Sequence, residues 1–411
     1  MAAIILYLYR LFANILIWPL CLALRNHPNF KDTLRLRLSI KLPTPPRGDL
    51  FWFHGASLGE VKAIAGLIAV IKQRRPDLVI CLTTMTATGR QAAAKIEGVD
   101  LILPFPFDLA WVMRRYLERL SPKVLVIAET EIWPNLILQA QAMGIEVLFV
   151  NARMSGETFK RYRIFSSFFA HILRKTRILA IAEEDARRFS SLGALHVAVF
   201  GNLKFDALRS TDPGRADQIR ASLPGGDRPI FIAGSVREGE ERMVIDAVRY
   251  ATVRIPNLLA LIAPRHPDRV QLLIDVAQEY GLKWRLRSKA GVCDLLIVDT
   301  VGELFDLYGA ADVAFVGGSL VDLGGQNILE PMSWGVPTIH GPHMENFTWA
   351  LEAVEGNTLL VHDANELGRT IVDVLIQRDR YLPRARKARE ALEKARGANE
   401  LYAKAILETV S

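Results

Sequence analysis

Two patterns of hydrophobic residues alternate along this chain of 411 residues. Short runs of Val, Ile and Leu without polar alternation predict strands that are covered on both faces. Between them, apolar residues recur every three or four positions, which predicts amphipathic helices. Both patterns meet after Leu50. Phe51–Phe53 is predicted to end a strand, His54–Gly59 to turn, and the next helix to present an apolar face at Val61, Ile64, Leu67, Ile68 and Ile71.

The predicted strands fall into two series with helices between them. The first series comprises Leu50–Phe53, Leu78–Thr83, Leu101–Pro104, Val124–Ala128, Glu146–Val150, Ile178–Ala182 and Val197–Phe200. The second comprises Pro229–Ala233, Leu258–Ala263, Leu295–Val298, Val313–Val316 and Thr338–His340. This alternation predicts an α/β protein with two doubly wound, mainly parallel sheets in domains that face each other across a cleft.

Turn-forming residues separate the two series. Thr211-Asp212-Pro213-Gly214 and Pro224-Gly225-Gly226-Asp227 flank a short polar helical segment, so we place the interdomain linker near residues 205–228. The length of the chain suits about two ordinary domains. The predicted organisation is a membrane anchor at residues 1–24, an N-terminal domain at 25–210, and a C-terminal domain at 211–411 that includes the closing helices.

The N-terminal segment differs from the rest of the chain. Ile4–Leu24 is nearly all apolar and is interrupted by Arg10, Asn14 and Pro19. About 20 apolar residues span a bilayer, so the segment either spans or lies in the interface, and a buried core helix is the alternative. Basic residues follow, and by the positive-inside tendency they predict that the bulk of the protein is cytoplasmic: Arg25, Lys31, Arg35, Arg37 and Lys41.

Composition narrows the possible partners. The formal net charge of +7 suits nucleic acid, an anionic membrane surface or anionic substrates. No long run of Lys and Arg with interleaved aromatic residues is present, which disfavours nucleic acid. Cys21, Cys81 and Cys293 are scattered and match neither a disulfide framework nor a zinc pattern, so a reducing compartment fits best.

Ser57-Leu58-Gly59-Glu60 lies where the first predicted strand turns into its helix. Backbone N–H groups and the positive end of a helix point from such a turn into the crevice above a parallel sheet. Glu60 therefore places a carboxylate where an anion-binding site is expected. The local pattern leaves two interpretations open, because Ser57-x-x-Glu60 also has the spacing of a capping box.

Other candidate residues lie at the ends of predicted strands. Glu129 and Glu131 follow one strand, Lys204 follows the last strand of the first series, and Arg265 lies where a guanidinium can bind phosphate or carboxylate bidentately. Two glycine pairs, at 317–318 and 324–325, let the backbone approach a ligand, and Glu330 lies one helical turn further, suited to ribose hydroxyls. Each also has an ordinary explanation as a solvated side chain, a turn or a helix-terminal acid.

Absent motifs exclude several enzyme classes. Neither half has the phosphate loop G-x-x-x-x-G-K-[ST], nor G-x-G-x-x-G after its first strand, which argues against an ATPase and a dinucleotide-dependent dehydrogenase. No G-x-S-x-G elbow indicates a serine hydrolase. The candidate histidines are spread out without metal-ligand spacing, so no metal site is expected: His54, His266, His340 and His343.

Seven motifs together resemble the bacterial 3-deoxy-D-manno-octulosonic acid (Kdo) transferases of lipopolysaccharide synthesis. In chain order they are Ser57-Leu58-Gly59-Glu60, Glu129-Thr130-Glu131-Ile132-Trp133-Pro134-Asn135, Asn151-Ala152-Arg153, Gly201-Asn202-Leu203-Lys204-Phe205-Asp206, Pro264-Arg265-His266-Pro267, Gly317-Gly318-Ser319-Leu320 and Gly341-Pro342-His343. The resemblance extends from the N-terminal anchor to the C-terminal helices. It implies a GT-B fold, in which two Rossmann-like domains enclose the active site.

The resemblance also implies substrates and roles. The donor would be CMP-Kdo and the acceptor a lipid A precursor, with no cofactor. Glu60 matches the family's general base, and Glu129 and Lys204 match positions that stabilise the transition state. Gln326 stands where some relatives have His, and Val301 where some have Met, without loss of a required group. The CMP-binding segments correspond to Pro264, Arg265, Val301, Gly302, Glu303, Asn327, Ile328, Leu329 and Glu330.

The chemistry of these residues agrees with that resemblance. CMP-Kdo carries a phosphate and a carboxylate, which cations such as Arg265 and Lys204 can bind. CMP is a good leaving group, so no metal is needed for its departure. The acceptor hydroxyl must lose a proton as it attacks, which requires a base. The expected location is the bacterial inner membrane, with the catalytic domains on the cytoplasmic side. Two alternatives remain: a GT-B transferase that uses a UDP-sugar, and an inert membrane-anchored glycolipid-binding protein.

Overall fold

A computed structural model describes residues 2–27, 30–225, 227–289 and 291–409. Gly226, which belongs to the predicted linker, lies outside the described residues. The strands are β1 (Leu50–His54), β2 (Val79–Thr84), β3 (Leu101–Pro104), β4 (Val124–Ala128), β5 (Glu146–Ala152), β6 (Arg177–Ala180), β7 (His196–Val199), β8 (Ile230–Val236), β9 (Leu259–Pro264), β10 (Trp284–Leu286), β11 (Leu295–Ile297), β12 (Val313–Val316), β13 (Thr338–His340) and β14 (Leu359–Leu360).

Helices occupy most of the connections between these strands. They are α1 (Ala2–Leu24), α2 (Leu34–Arg37), α3 (Leu58–Arg74), α4 (Ala87–Ala93), α5 (Ala110–Leu120), α6 (Pro134–Ala142), α7 (Gly156–Arg163), α8 (Ser166–Leu173), α9 (Glu183–Ser191), α10 (Pro213–Ser222), α11 (Glu241–Arg254), α12 (Val270–Glu279), α13 (Leu304–Gly309), α14 (Leu329–Ser333), α15 (Thr348–Ala353), α16 (Ala364–Ile376), α17 (Arg378–Lys394) and α18 (Ala398–Leu407). Short 3-10 helices cover Leu203–Phe205, Pro267–Arg269 and Glu345–Phe347.

The first of two compact units comprises Met1–Ala207 and Arg396–Ser411. Within its described residues, a parallel seven-stranded sheet has the order β3-β2-β1-β4-β5-β6-β7. The strand order reverses between β1 and β4. In doubly wound sheets, ligands bind beyond the carboxyl ends of the strands at such a switch point. The residues that follow β1 and β4 therefore occupy the position where this architecture places a ligand site.

Helices cover both faces of this sheet. All five residues of β1 are buried, as expected for a strand between two helical layers. The predicted apolar face of α3 is confirmed, because its five residues all join one buried cluster with β1 and β4: Val61, Ile64, Leu67, Ile68 and Ile71. This packing fixes the start of α3, and with it Glu60, against the end of β1.

The last helix differs from the predicted domain organisation. The prediction placed every residue from 211 onward in the second domain, whereas α18 packs on α3 of the first unit. Its Tyr402 side chain is fully buried, donates to the backbone carbonyls of Leu179 and Gly201, and accepts from the N–H of Asn151. The apolar face of α18 is thus buried against the first unit. This contact joins residues far apart in the chain, so the local sequence does not reveal it.

The second unit comprises Leu208–Ala395. Within its described residues, a second parallel seven-stranded sheet has the order β10-β11-β9-β8-β12-β13-β14 and reverses between β8 and β12. The boundary before Leu208 falls in the predicted linker, and the predicted polar helical segment is α10. Both edge strands, β10 and β14, were missed because they are short and only partly buried.

Helix α1 is long and apolar enough to cross a membrane by length and composition. The alternative of a buried core helix is wrong, because Ile17 is the buried residue of α1 while large apolar side chains along most of the helix are exposed: Ile4, Tyr7, Leu8, Leu11, Phe12, Ile15, Leu16, Trp18, Leu20 and Leu22. On its opposite side, Tyr9 Oη donates to Asp108 (2.8 Å) and Arg10 Nε donates to Asn135 Oδ1 (2.7 Å). These contacts attach one side of α1 to the first unit and leave the apolar side uncovered.

Candidate functional site

Glu60 lies in the first turn of α3, and its side chain caps the turn. Ser57 is the N-cap, and its Oγ accepts from the Glu60 N–H (3.3 Å) and donates to Glu60 Oε1 (2.8 Å). Glu60 Oε2 accepts from the N–H of Ala56 (2.7 Å). A standard capping box would engage the N–H of Ser57 instead. The capping interpretation is therefore confirmed in part, and the carboxylate is held in one orientation.

The surroundings of Glu60 favour its protonated form. The residue is 9 % exposed. Burial raises its pKa above the usual glutamate value, the hydrogen bonds from Ser57 and Ala56 act in the opposite direction, and Glu129 adds a further rise. Each carboxylate oxygen keeps a lone pair beyond its one hydrogen bond. A buried carboxylate with a raised pKa and a remaining acceptor position is suited to accept a proton.

Glu129 forms the centre of an ion-pair cluster at the end of β4. Its backbone has a φ of 56°, a left-handed conformation that is unusual for a residue other than glycine. Glu129 Oε1 accepts from Lys204 Nζ at 3.1 Å, and Oε2 accepts from Arg153 Nε at 2.9 Å. The structure thus brings together two predicted site residues, Glu129 and Lys204. Glu60 lies in the helix that follows the adjacent strand β1, close enough for the two carboxylate charges to interact.

Asn151 helps to position Lys204, one of the two cations of this cluster. Asn151, near the end of β5, accepts from the backbone N–H of Leu203 through Oδ1 (3.0 Å) and so holds the 3-10 helix that carries Lys204. Arg153 follows two residues later. No role was predicted for Arg153, although Asn151-Ala152-Arg153 is one of the seven motifs that resemble the family. Neither the residue pattern nor the spacing indicated that the Arg153 guanidinium would form an ion pair with Glu129.

Glu131 is a third carboxylate at the same sheet edge. Burial and then the charge of Glu60 raise the pKa of Glu131 to about 7, and Glu129 contributes in the same direction. Carboxylates this close do not all ionise readily at neutral pH. The edge of the first sheet therefore combines two carboxylic acids whose pKa values are raised, Glu60 and Glu131, with the cations Lys204 and Arg153.

In the second unit, the predicted nucleotide-binding residues lie in the segments that follow β9, β11 and β12. Arg265 follows β9, and its N–H donates to the carbonyl of Val236 (2.9 Å). Glu330 lies in the first turn of α14 and accepts from Asn327 Nδ2 (3.0 Å). Burial raises the pKa of Glu330, opposed by the Asn327 hydrogen bond and by the charges of Arg209 and Arg265. The structure thus brings Arg265, Asn327 and Glu330 together, while Pro264 ends β9 and the neighbouring Ile328 and Leu329 are buried.

The third predicted segment follows β11, which pairs with β9. Gly302 has a φ of 96°, and Glu303 at the start of α13 pairs with Arg287 (3.3 Å) and with the Thr300 hydroxyl. Val301 is 85 % exposed and contributes no packing to the segment. The Val301 side chain is therefore open to solvent, whereas the Glu303 carboxylate already has partners within the protein.

Comparisons with known proteins place these two sets of residues in one family. The family described as 3-Deoxy-D-manno-octulosonic-acid transferase (kdotransferase) matches residues 32–207. A 3-deoxy-D-manno-octulosonic acid transferase of Haemophilus influenzae is 33% identical over 368 residues, which cover 86% of this chain and 85% of the relative. One of Bordetella pertussis is 34% identical over 365 residues, which cover 83% and 82%.

The chain belongs to the Kdo transferase family. It is therefore a glycosyltransferase. A solved structure of a glycosyltransferase from Rickettsia africae covers 89% of this transferase and 100% of that chain at 11% identity, with a TM-score of 0.55. At that identity the likeness concerns the fold alone. It agrees with the GT-B fold expected from the sequence, which the two parallel sheets confirm.

Glu240 has a structural role in the transferase that sequence reasoning missed. Its fully buried carboxylate accepts from the backbone N–H groups of Gly318 (2.6 Å), Ser319 (2.9 Å) and Leu320 (2.9 Å). These N–H groups are therefore occupied within the protein. A Cβ at Gly317 would lie 2.4 Å from the carbonyl oxygen of Ser235. The first glycine pair thus allows close packing of two backbone segments rather than an open approach to a ligand.

One histidine that the metal argument set aside has acidic neighbours. His343 Nδ1 lies 3.8 Å from Asp322 and 3.8 Å from Glu345. Asp322 and Glu345 are exposed, and their oxygens lie with the His343 nitrogen within 4.8 Å of one another. Exposed groups of this kind are common without a metal. The expectation that the transferase needs no metal stays a prediction.

Proposed function

We propose that this Kdo transferase moves Kdo from CMP-Kdo to a hydroxyl of a lipid A precursor in lipopolysaccharide synthesis, with inversion at the anomeric carbon. Glu60 is the general base, and neither a metal nor another cofactor takes part. The observation that carries the proposal is the buried Glu60 carboxylate beside the Glu129 cluster, at the strand switch point of a chain that belongs to the Kdo transferases.

In the proposed reaction, Glu60 takes the proton of the acceptor hydroxyl as its oxygen attacks the anomeric carbon of Kdo. The new bond forms as the bond to the phosphate oxygen breaks, and CMP leaves with that electron pair. General base catalysis of this kind contributes about 10²–10⁴ in rate. The hydrogen bonds from Ala56 and Ser57 support this role because they fix the carboxylate before the acceptor arrives.

Lys204 and Arg153 are proposed to stabilise negative charge in the transition state. Both are held by Glu129, and Lys204 is 24 % exposed and Arg153 48 % exposed in their side chains. Glu129 is buried and keeps the two cations at fixed positions. Loss of the Glu129 carboxylate is expected to release both cations and to slow transfer, while the charge pattern of the second unit is unchanged.

CMP recognition is proposed for the segments of the second unit. Arg265 supplies a cation that suits the phosphate, and Glu330, which Asn327 orients, suits the ribose hydroxyls. The segment Val301, Gly302 and Glu303 lies at the end of the neighbouring strand. Calorimetric titration tests this assignment. Binding of CMP with much weaker binding of UDP supports it, and the reverse preference would indicate a UDP-sugar transferase instead.

Helix α1 is proposed to hold the enzyme at the inner membrane, with the catalytic domains in the cytoplasm. Its exposed apolar side chains and the basic residues that follow it suit an anionic bilayer surface. The enzyme would then bind its lipid-linked acceptor at the membrane surface, where that acceptor is located. Flotation of the full-length protein with vesicles measures this association directly, and a protein that stays unbound would contradict it.

A further inference from the structure

Glu240 is a fully buried carboxylate at the start of α11, in the second unit. It accepts four backbone N–H bonds: Oε1 from Ser319 and Leu320 (both 2.9 Å), and Oε2 from Gly318 (2.6 Å) and Arg237 (2.9 Å). A buried carboxylate is costly unless hydrogen bonds compensate for its lost hydration, and here the N–H groups of two separate loops do so.

The loop that follows β12 connects Glu240 with the segment that contains Asn327 and Glu330. While Glu240 binds N–H groups of this loop, the carbonyls of the glycine pair 317–318 accept from the N–H groups of residues 325–326 (2.8 and 3.0 Å). Asn327 comes next in the chain and donates through Nδ2 to Glu330 (3.0 Å). The loop held by Glu240 therefore fixes the backbone just before the proposed ribose ligand.

The turn that follows β8 connects Glu240 with Arg265. Arg237, whose N–H group Glu240 binds, directly follows Val236 at the end of β8. The carbonyl of Val236 accepts from the N–H group of Arg265 (2.9 Å). Because Glu240 Oε2 binds both Arg237 and Gly318, one oxygen atom joins the turn after β8 to the loop after β12.

These segments lie where the order of the second sheet reverses, between the adjacent strands β8 and β12. Doubly wound sheets bind ligands beyond the carboxyl ends of the strands at such a reversal. The packing there is tight, since a Cβ at Gly341 would lie 2.1 Å from the carbonyl oxygen of Ser319. The N–H group of Gly341 also donates to Ser319 Oγ (2.8 Å). The loop held by Glu240 thus has one closely packed position.

We propose that Glu240 is a positioning residue for the donor nucleotide, which joins the segment of Arg265 to that of Asn327 and Glu330 and orders both before CMP binds. Because this role concerns CMP recognition, it rests on the proposed function. A carboxylate has about four lone-pair positions. The four N–H groups occupy those of Glu240, so it acts through the two loops rather than by contact with the ligand.

Glu240→Gln keeps the size of the side chain but replaces one acceptor oxygen with an NH₂ group. That group faces two backbone N–H donors whichever way the amide is turned, so two hydrogen bonds are lost. CMP affinity measured by calorimetry should fall roughly 10-fold, since only molecules with ordered loops bind. Unchanged CMP affinity in folded Glu240→Gln would overturn the proposal.

Steady-state kinetics distinguish positioning of the donor from a general loss of active enzyme. In Glu240→Gln, KM for CMP-Kdo should rise by a factor similar to the loss of CMP affinity. The value of kcat at saturating donor should change little, because a bound donor orders both loops. A fall in kcat at unchanged KM would contradict the positioning role.

Hydrogen exchange of the nucleotide-free protein, measured by mass spectrometry, tests the loops without any transfer. In the wild type, the amides of residues 318–320 and 325–326 should be protected, and rapid exchange there would overturn the proposal whether or not a variant folds. In Glu240→Gln these amides should exchange faster while β9 and β11 keep their protection. Faster exchange throughout the second unit would instead indicate a general loss of stability and contradict the proposal.

Glu366→Gln is the matched control. Glu366, in the first turn of α16, also accepts from a backbone N–H group, that of His362 (2.8 Å), but it is partly exposed and its helix follows the edge strand β14. Its substitution should leave CMP affinity and the exchange of residues 318–320 unchanged. An equal loss of affinity in Glu366→Gln would contradict a specific role of Glu240.

The outcome for Glu240 is separable from that for the proposed function. If the wild-type protein binds UDP rather than CMP, the proposed donor is wrong. The same calorimetric comparison of wild type and Glu240→Gln is then made with UDP. A roughly 10-fold loss of UDP affinity would support the positioning role, and an unchanged UDP affinity would overturn it.

Discussion

Glu60→Gln separates catalysis from helix capping. As a general base Glu60 must take a proton, and glutamine cannot. The expected loss in turnover is about 10²–10⁴, which corresponds to a barrier increase of about 2.7–5.4 kcal/mol. Binding of CMP should be retained, because the proposed nucleotide residues belong to the second unit.

The same substitution should leave the fold intact. The amide oxygen of glutamine can still accept from the N–H of Ala56, and its NH₂ group can donate to the Ser57 hydroxyl. Burial raises the pKa of Glu60, which means that the fold disfavours its charge, and a neutral amide avoids that cost. The free energy of unfolding should therefore change by no more than about 1 kcal/mol, a few degrees in melting temperature.

The assay is CMP release at saturating donor and acceptor, with thermal unfolding measured on the same samples. Glu157→Gln is the matched control, because Glu157 is an exposed acid in the first turn of α7. Ser57→Ala should cost about 0.5–2 kcal/mol of stability through the lost cap and reduce turnover less than Glu60→Gln. Near-normal turnover in folded Glu60→Gln would refute the base assignment and direct attention to Glu129 or Glu131.

Three further predictions follow from the two units. Arg265→Ala should weaken CMP binding by about 1.5–3 kcal/mol, since a charge-assisted hydrogen bond is lost, and unchanged affinity by calorimetry would reject the phosphate contact. Burial and the charge of Glu60 raise the pKa of Glu131 from 4.5 to about 7. Between these two pH values the folded protein keeps the Glu131 proton, whereas the unfolded chain has lost it. The free energy of unfolding of the wild type should therefore fall as the pH rises from about 4.5 to 7. Urea unfolding should show Glu131→Gln gaining stability relative to wild type from about pH 4.5 to 7, and a constant difference would contradict this. Replacing exposed Phe12 and Trp18 of α1 with Glu should move the protein from the membrane to the soluble fraction while CMP binding is kept, and retention at the membrane would reject anchoring by this face.

Local pattern predicted most of the two sheets because their strands are buried on both faces. A central strand such as β4 is a continuous apolar run in the sequence and is fully buried in the structure. The edge strands β10 and β14 lack such a run, so no local signal marked them. The return of α18 to the first unit depends on the burial of Tyr402 against residues about 200 positions away, which no periodicity encodes.

As with the fold, the sequence predicted part of the candidate site, namely the residues at the strand ends, but not their contacts. The sequence placed Glu129 and Lys204 at the ends of two strands, and the structure adds the ion pair between them. Arg153 and Glu240 were missed as partners because an ion pair or a buried carboxylate is defined by distant groups. The cap at Glu60 was open to two interpretations from its spacing, and the structure shows that capping and a raised pKa coexist at one carboxylate.

The most direct test of the proposed function is mass spectrometry of the products formed from CMP-Kdo and a tetra-acylated lipid A precursor by the full-length enzyme. The expected result is an acceptor mass increased by one or more Kdo residues, equimolar release of CMP, and inverted anomeric configuration in the product. A parallel reaction with a UDP-sugar should leave the acceptor unchanged. Transfer from the UDP-sugar, or binding of the lipid without any product from CMP-Kdo, would contradict the account.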